Sequence, residues 1–168
     1  MKESKERSFA VVFAAIVCAL CIAVMITALS IPKKAAKGEF IPPEFDSAAV
    51  SGEPDAPEHM GYAEPYREGM GFRAGLCGNI TICGDTADVY FTNKAENGVW
   101  LMLRITDESG NTIAETGLIR PGEYVKAVKF TQKPEDGQKV ICRVMAYEQG
   151  TYQSVGYFTL KTKVRYEK

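Results

Sequence analysis

An all-β domain, carried behind one apolar N-terminal segment and an acidic, proline-rich spacer, is the fold class this sequence predicts. Three observations carry it. Phe9 to Ile31 is a run of 23 residues without a charge. Residues 32–72 hold six of the eight prolines. From about residue 73 onward, short runs alternate with period 2 and are punctuated by Gly, Asn, Asp and Pro, the pattern of a sandwich or barrel of short strands. The length of 168 residues suits one domain with an appendage. A hydrophobic fraction of 46% describes a folding chain, and a net charge of −1 without a basic stripe argues against a nucleic-acid binder.

The apolar run FAVVFAAIVCALCIAVMITALSI has Thr27 and Ser30 as its only hydroxyl side chains. A helix of that length spans roughly 34 Å, enough for a hydrocarbon core of about 30 Å. Lys2, Lys5 and Arg7 precede it and Lys33, Lys34 and Lys37 follow it. The flanking charges therefore tie. A short basic N-terminus still favours the inside, and a long following domain is translocated regardless of its charge. Ala28-Leu29-Ser30 resembles a signal-peptidase site, but the apolar stretch exceeds the usual h-region of a cleaved signal. Val17 and Leu20 stand where a lipoprotein would carry small residues, so Cys18 and Cys21 read as ordinary apolar helix residues. The expected layout is a cytoplasmic tail over 1–8, a transmembrane helix over 9–31 in the lipid bilayer, a linker over 32–72, and an extracytoplasmic domain over 73–168.

From Gly38 to Phe72 one basic residue, Arg67, stands against eight acidic ones. No apolar period runs through the stretch, prolines block helix and sheet interiors, and like charges extend a chain. Residues 32–72 are therefore expected to form a disordered stalk, on the order of 35–40 Å as a random coil. The single histidine, His59, falls in this stalk and receives no catalytic role.

Seven strands are expected: 79–83, 87–92, 99–106, 112–116, 124–131, 139–148 and 154–165. The turns between them have mechanisms. Asn97-Gly98 tolerates positive φ, Gly110 supplies a left-handed residue to a hairpin, and Pro121-Gly122 suits a type II turn. Alternation assigns faces. Val99, Leu101, Leu103 and Ile105 oppose Trp100, Met102 and Arg104. Val140, Cys142, Val144 and Ala146 oppose Ile141, Arg143, Met145 and Tyr147. Phe158, Leu160 and Val164 oppose Tyr157, Thr159, Lys161 and Lys163. The first set in each strand is aliphatic and uncharged and reads as core. Lys126 and Lys129 fall on opposite faces of the fifth strand, which a bulge or an edge position would explain.

Seven strands over residues 79–165 resemble an immunoglobulin-like or fibronectin-type-III-like β-sandwich, without the Cys…Trp…Cys framework of antibody domains. The layout of anchor, acidic stalk and small sandwich resembles membrane-anchored surface proteins of Gram-positive bacteria. That resemblance implies an envelope location and says nothing about a ligand. If the sandwich order holds, the third, sixth and seventh strands lie side by side. Their outward faces then gather Trp100, Met102, Arg104, Arg143, Met145, Tyr147 and Tyr157, with Lys161 among them. Aromatic residues, Met and Arg are what interface cores are enriched in. Two other readings stand beside a docking face: a cluster covered by its own Arg stems, or part of the stalk folded back over it.

The chemistry-bearing motifs are few. Cys77 and Cys83 are six apart, too far for a bridge on one straight strand, so a disulfide would need a turn at Gly78-Asn79. Cys142 falls on the core face. Asp107, Glu108 and Asn111 read as a hairpin turn before a calcium site, and Asn79-Ile80-Thr81 is a glycosylation sequon. No phosphate-cradling loop, HExxH, CxxC pair or nucleophile elbow occurs. No cofactor, metal or enzymatic activity is expected. The expected function is a cell-surface binding or adaptor module recognising an envelope protein or glycan. A structural subunit of an envelope-spanning secretion or conjugation assembly is the alternative.

Overall fold

The computed structural model describes residues 16–21, 40–65 and 69–167. Residues 16–21 are helical, and most of the apolar run 9–31 lies outside the described residues. Among the described residues no helix is long and apolar enough to cross a membrane. The chain divides into two units, Met1–Ile41 and Pro42–Lys168. The second is all-β. Its strands are β1 (Val50–Ser51), β2 (Tyr62–Ala63), β3 (Ala74–Cys77), β4 (Ile80–Cys83), β5 (Thr86–Asn93), β6 (Val99–Thr106), β7 (Thr112–Glu115), β8 (Glu123–Lys129), β9 (Lys139–Glu148) and β10 (Ser154–Tyr166). The last seven match the seven strands expected from alternation, and β1 to β3 are additional.

The sheet runs β1-β8-β5-β4-β10-β9-β6-β7, with β3 on the end of β5 and β2 on β3. Neighbours are antiparallel except β10 and β4, which pair in parallel through Val164–Ile80 and Tyr166–Ile82. The sheet curls until its far strands meet. Ala114 of β7 bridges to Phe130 just past β8, and the Thr131 amide donates to the Ile113 carbonyl at 2.8 Å. The curl encloses one core. Leu101, Leu103 and Ile105 of β6, Cys142, Val144 and Ala146 of β9, and Ile80, Ile82, Val89, Phe91 and Val125 of the other strands are all buried in it. Period-2 alternation places these side chains together, because every second residue of a strand faces the same side.

The irregularity expected from Lys126 and Lys129 is a bulge whose extra residue lies on β5. Asp88 faces Ala127 and Phe91 faces Val125, so Val89 and Tyr90 together oppose Lys126. Tyr90 takes a positive φ of 46°. The two-against-one mismatch lets Val125 and Val128 of β8, three apart, both face the core opposite Phe91 and Ala87, and leaves Lys126 and Lys129 both exposed, while Tyr90 lies on the other face of β5 with Met60 and Cys77. Gly110 and Gly122 adopt the left-handed φ values of 88° and 79° that their turns require. The Asn97-Gly98 turn closes without a positive φ.

Residues 42–65 depart from the expectation of a disordered stalk: they belong to the compact unit. Three kinds of interaction hold them there. First, the backbone of Glu44–Asp46 adds itself beside Leu118, with the Asp46 amide donating to Leu118 O at 2.8 Å and the Leu118 amide to Glu44 O at 2.9 Å. Second, a 3-10 turn at Glu58–Met60 buries Met60, which is only 2% exposed, against Cys77 and Tyr90. Amides of Gly78 and Asn79 donate to the carbonyls of Gly61 and Met60. Third, Lys94 pairs with Glu53 at 2.8 Å and Glu64 at 2.6 Å, and Arg73 pairs with Glu64 at 2.7 Å. The acidic residues of this stretch are thus partly spent on ion pairs with the body of the domain.

Candidate functional site

The outward face of β6, β9 and β10 is where the candidate residues converge. β9 lies between the other two. Met102 of β6 faces Met145 of β9, which faces Tyr157 of β10. Trp100 faces Tyr147 in the row on one side, and Arg104 faces Arg143 in the row on the other. All seven residues therefore occupy one side of one sheet. Their backbone hydrogen bonds fix the register, and their odd–even parity against the buried set fixes the side.

The structure divides them by accessibility. The N-terminal segment covers Trp100 and Met102. The Phe45 ring meets Trp100 edge-on at 4.9 Å, Tyr152 tilts against Trp100 at 5.0 Å, and the Arg120 guanidinium lies 3.8 Å over the Phe45 ring. Met102 is 3% exposed, and Pro43–Ser47 with Glu115–Gly117 line the depression of about 340 Å³ that it contributes to. The stalk, folded back, thus takes this corner of the face. Phe45 and Tyr152, which meet Trp100, and Arg120, which covers Phe45, escape a reading by alternation because they lie outside the three strands.

The rest of the face is open. Tyr157 is 63% exposed, and the Arg143 guanidinium stands 5.0 Å over its ring. The Tyr147 hydroxyl donates to the Met145 sulfur at 3.7 Å, and both residues are half-buried. Arg104 forms a close ion pair with Glu115. Beyond the arginine row lie Thr106, Ile141 and Lys161, and then Lys139 directly opposite Lys163. Lys139 is 3.7 Å from Glu108. A depression of about 310 Å³ opens here, with Lys139, Lys161, Lys163 and Glu108 around a floor that includes Ile141. Arg104 against Arg143 and Lys139 against Lys163 are cross-strand like-charge pairs, an arrangement that costs stability. Folding alone gives no reason for them.

The three thiols of the β-unit are held in the neutral form. Burial, with Asp88 nearby, raises the Cys77 thiol to about 11. A hydrogen bond to the Glu167 carboxylate at 2.9 Å, with some burial, raises Cys83 to about 11, and burial raises Cys142 to about 12. Neutral thiols are poor nucleophiles. All five cysteines are free, so the turn at Gly78-Asn79 brings no bridge between Cys77 and Cys83. His59 is exposed and contributes its carbonyl to Asn79. Among the described residues no three His, Cys, Asp or Glu side chains converge as metal ligands would. Searches among protein families, curated proteins and solved structures find no match to this chain.

Proposed function

We propose that the chain is a single-pass, membrane-anchored cell-surface binding module. Its β-domain is an immunoglobulin-like sandwich held on the outer side of the membrane, and it recognises an envelope protein or glycan through the open part of the β6–β9–β10 face, without catalysis. The strand order supports the sandwich: β8-β5-β4 on one side and β10-β9-β6-β7 on the other follow the order of such domains. The apolar run 9–31 supports the anchor.

The observation that carries the binding role is the exposed Tyr157 beneath Arg143, beside Tyr147 and Met145, on a face that tolerates two like-charge cross-strand pairs. Stacked Arg and Tyr offer both a flat apolar surface and hydrogen-bond donors, the combination that dominates interface energetics. In-cell photo-crosslinking tests it, with the reactive side chain at Thr159, which faces Arg143 on the open surface. A specific heterologous protein or glycan adduct is expected. Adducts only between copies of this chain would replace the binding module with a structural subunit.

A further inference from the structure

We propose that the basic end of the β6–β9–β10 face rests on the anionic headgroups of the bilayer in which the chain is anchored, leaving the Tyr147–Tyr157 end turned outward. The inference rests on the membrane-anchored reading above and names a second partner, an anionic lipid surface, for the same face.

Two independent observations lead there. The first is charge. Arg104, Lys139, Arg143, Lys161 and Lys163 share the face over three successive rows, and among the described residues only Glu115 and Glu108 pair with any of them. Within each strand, outward side chains two residues apart are ~7 Å apart, so this is a flat field of cations and not a point site. A flat field with like charges abreast matches a plane of phosphates better than a single buried anion.

The second is the direction in which the chain reaches the domain. Phe45 bridges to Leu118 in parallel, and the strand containing Leu118 runs antiparallel to β6, from the level of Arg104 toward that of Leu101. Residues 42–46 therefore run the same way. Traced backward, toward the membrane segment, the chain heads for the Arg104–Arg143 row and its basic neighbours. Ten residues, 32–41, separate Ile31 from Pro42. They reach at most ~35 Å when fully extended, and ~17 Å as a flexible coil. Docking of 42–65 thus shortens the spacer from the 41 residues expected from composition to these ten, and the chain enters the β-unit from the direction of its basic end. Attraction to an anionic surface decays over about a Debye length, ~8 Å at physiological salt, which is shorter than the reach of the tether, so the tether permits the contact and the field of cations holds it once made. Tethering supplies the effective concentration that weak individual contacts need.

The test uses the full chain in lipid nanodiscs, either neutral phosphatidylcholine or the same lipid with about 30% phosphatidylglycerol. Lysine acetylation rates are read by mass spectrometry. Lys139, Lys161 and Lys163 are expected to react about threefold or more slowly in anionic than in neutral discs, with Lys126 and Lys129 of β8 unchanged, and the protection is expected to vanish near 0.5 M salt. The Arg143→Glu/Lys161→Glu variant alters exposed and half-open surface only, and it should remove the protection at Lys139 and Lys163. Equal rates in the two discs, with the chain retained in both, would overturn the lipid contact and leave the anchor standing. Protection caused equally by soluble polyphosphate with neutral discs would overturn it in favour of an envelope polyanion. Failure of the chain to stay with the discs would overturn the anchor, and this proposal with it.

Discussion

Gly117 determines whether the N-terminal stretch of the compact unit can lie where it does. A Cβ there would come within 2.5 Å of the Asp46 nitrogen, 2.7 Å of its Cα and 2.8 Å of the Glu44 carbonyl. These are backbone atoms and cannot swing aside. The Gly117 amide also donates to the Asp46 carboxylate at 2.9 Å, and the neighbouring Leu118 and Asp46 amides complete the strand addition. Gly117→Ala should therefore lift Glu44–Asp46, separate Phe45 from Trp100, and cost about 1–3 kcal/mol. Trp100 is the only tryptophan, so its emission reports the change directly and should shift to the red. Gly98→Ala is the control, because its Cβ would meet nothing within 4 Å. Equal stability and emission in the two variants would mean that the close approach at Gly117 is not what docks the segment. At the same scale, Asn93 shows how a buried polar group is kept in a core: its amide donates to Val99 O at 2.9 Å and Ile119 O at 3.0 Å, tying the start of β6 to the stretch that pairs with it at Leu101.

Among the elements, alternation was a sound guide where one face meets the core and the other does not. Val99, Leu101, Leu103 and Ile105 are buried, as are Val140, Cys142, Val144 and Ala146, and each set was distinguishable by parity alone. The guide fails for β5, where Val89, Tyr90, Phe91, Thr92 and Asn93 are all buried. A strand covered on both faces loses its alternation. In β5 the run Val89-Tyr90-Phe91 was the visible trace of a second layer, and that layer is residues 56–64. The stretch itself hid the fact because composition does not reveal long-range partners. Glu53 and Glu64 read as solvated charges until Lys94 and Arg73 are placed beside them. Those pairs predict a pH window. The hydrogen bond from Lys94 lowers the Glu64 carboxyl below its usual 4.5, so its stabilisation is complete above that value and is lost as pH falls through the depressed one. Burial pushes Lys94 down, but its hydrogen bonds to Glu53 and Glu64 outweigh this and raise it above 10.5, so its share is complete below 10.5 and lost only as pH rises through the higher value. Exchange-corrected amide protection across residues 58–64 should be flat from about pH 5 to 9 and fall as the pH drops below 4.5, ahead of the β6 and β9 amides. Glu64→Gln should abolish that early loss. Simultaneous loss in all three elements would show that the ion pairs do not hold the segment separately.

For the whole molecule, the question is where the domain begins. Composition places the boundary near residue 73, and the contacts place it at Pro42. The physical difference lies in a few apolar anchors within a polar stretch: Phe45 on Trp100, Met60 in the cluster with Cys77 and Tyr90, and Tyr62, whose hydroxyl donates to Thr92 at 2.9 Å over the bare Cα of Gly75. Sparse anchors without a period give no pattern to read, yet each of them covers surface that β3, β5 and β6 would otherwise expose. Two truncations separate the boundaries. A chain starting at residue 42 should melt as the intact compact unit does. A chain starting at residue 66 should lose the burial of Met60 and Phe45, the backbone pairing at Leu118 and the ion pairs of Lys94. Fully burying one Met or Phe side chain contributes about 1.5–3 kcal/mol, so a fall in Tm of roughly 10–20 °C follows for a unit of this size. The shorter chain should also bind a hydrophobic dye, because Tyr90, Cys77 and Met102 become surface. Equal melting of the two truncations would return residues 42–65 to the status of a spacer. The tether assumed for the proposed contact between the basic face and a bilayer would then lengthen from ten residues to the forty or so that composition suggests, and the effective concentration favouring that contact would fall.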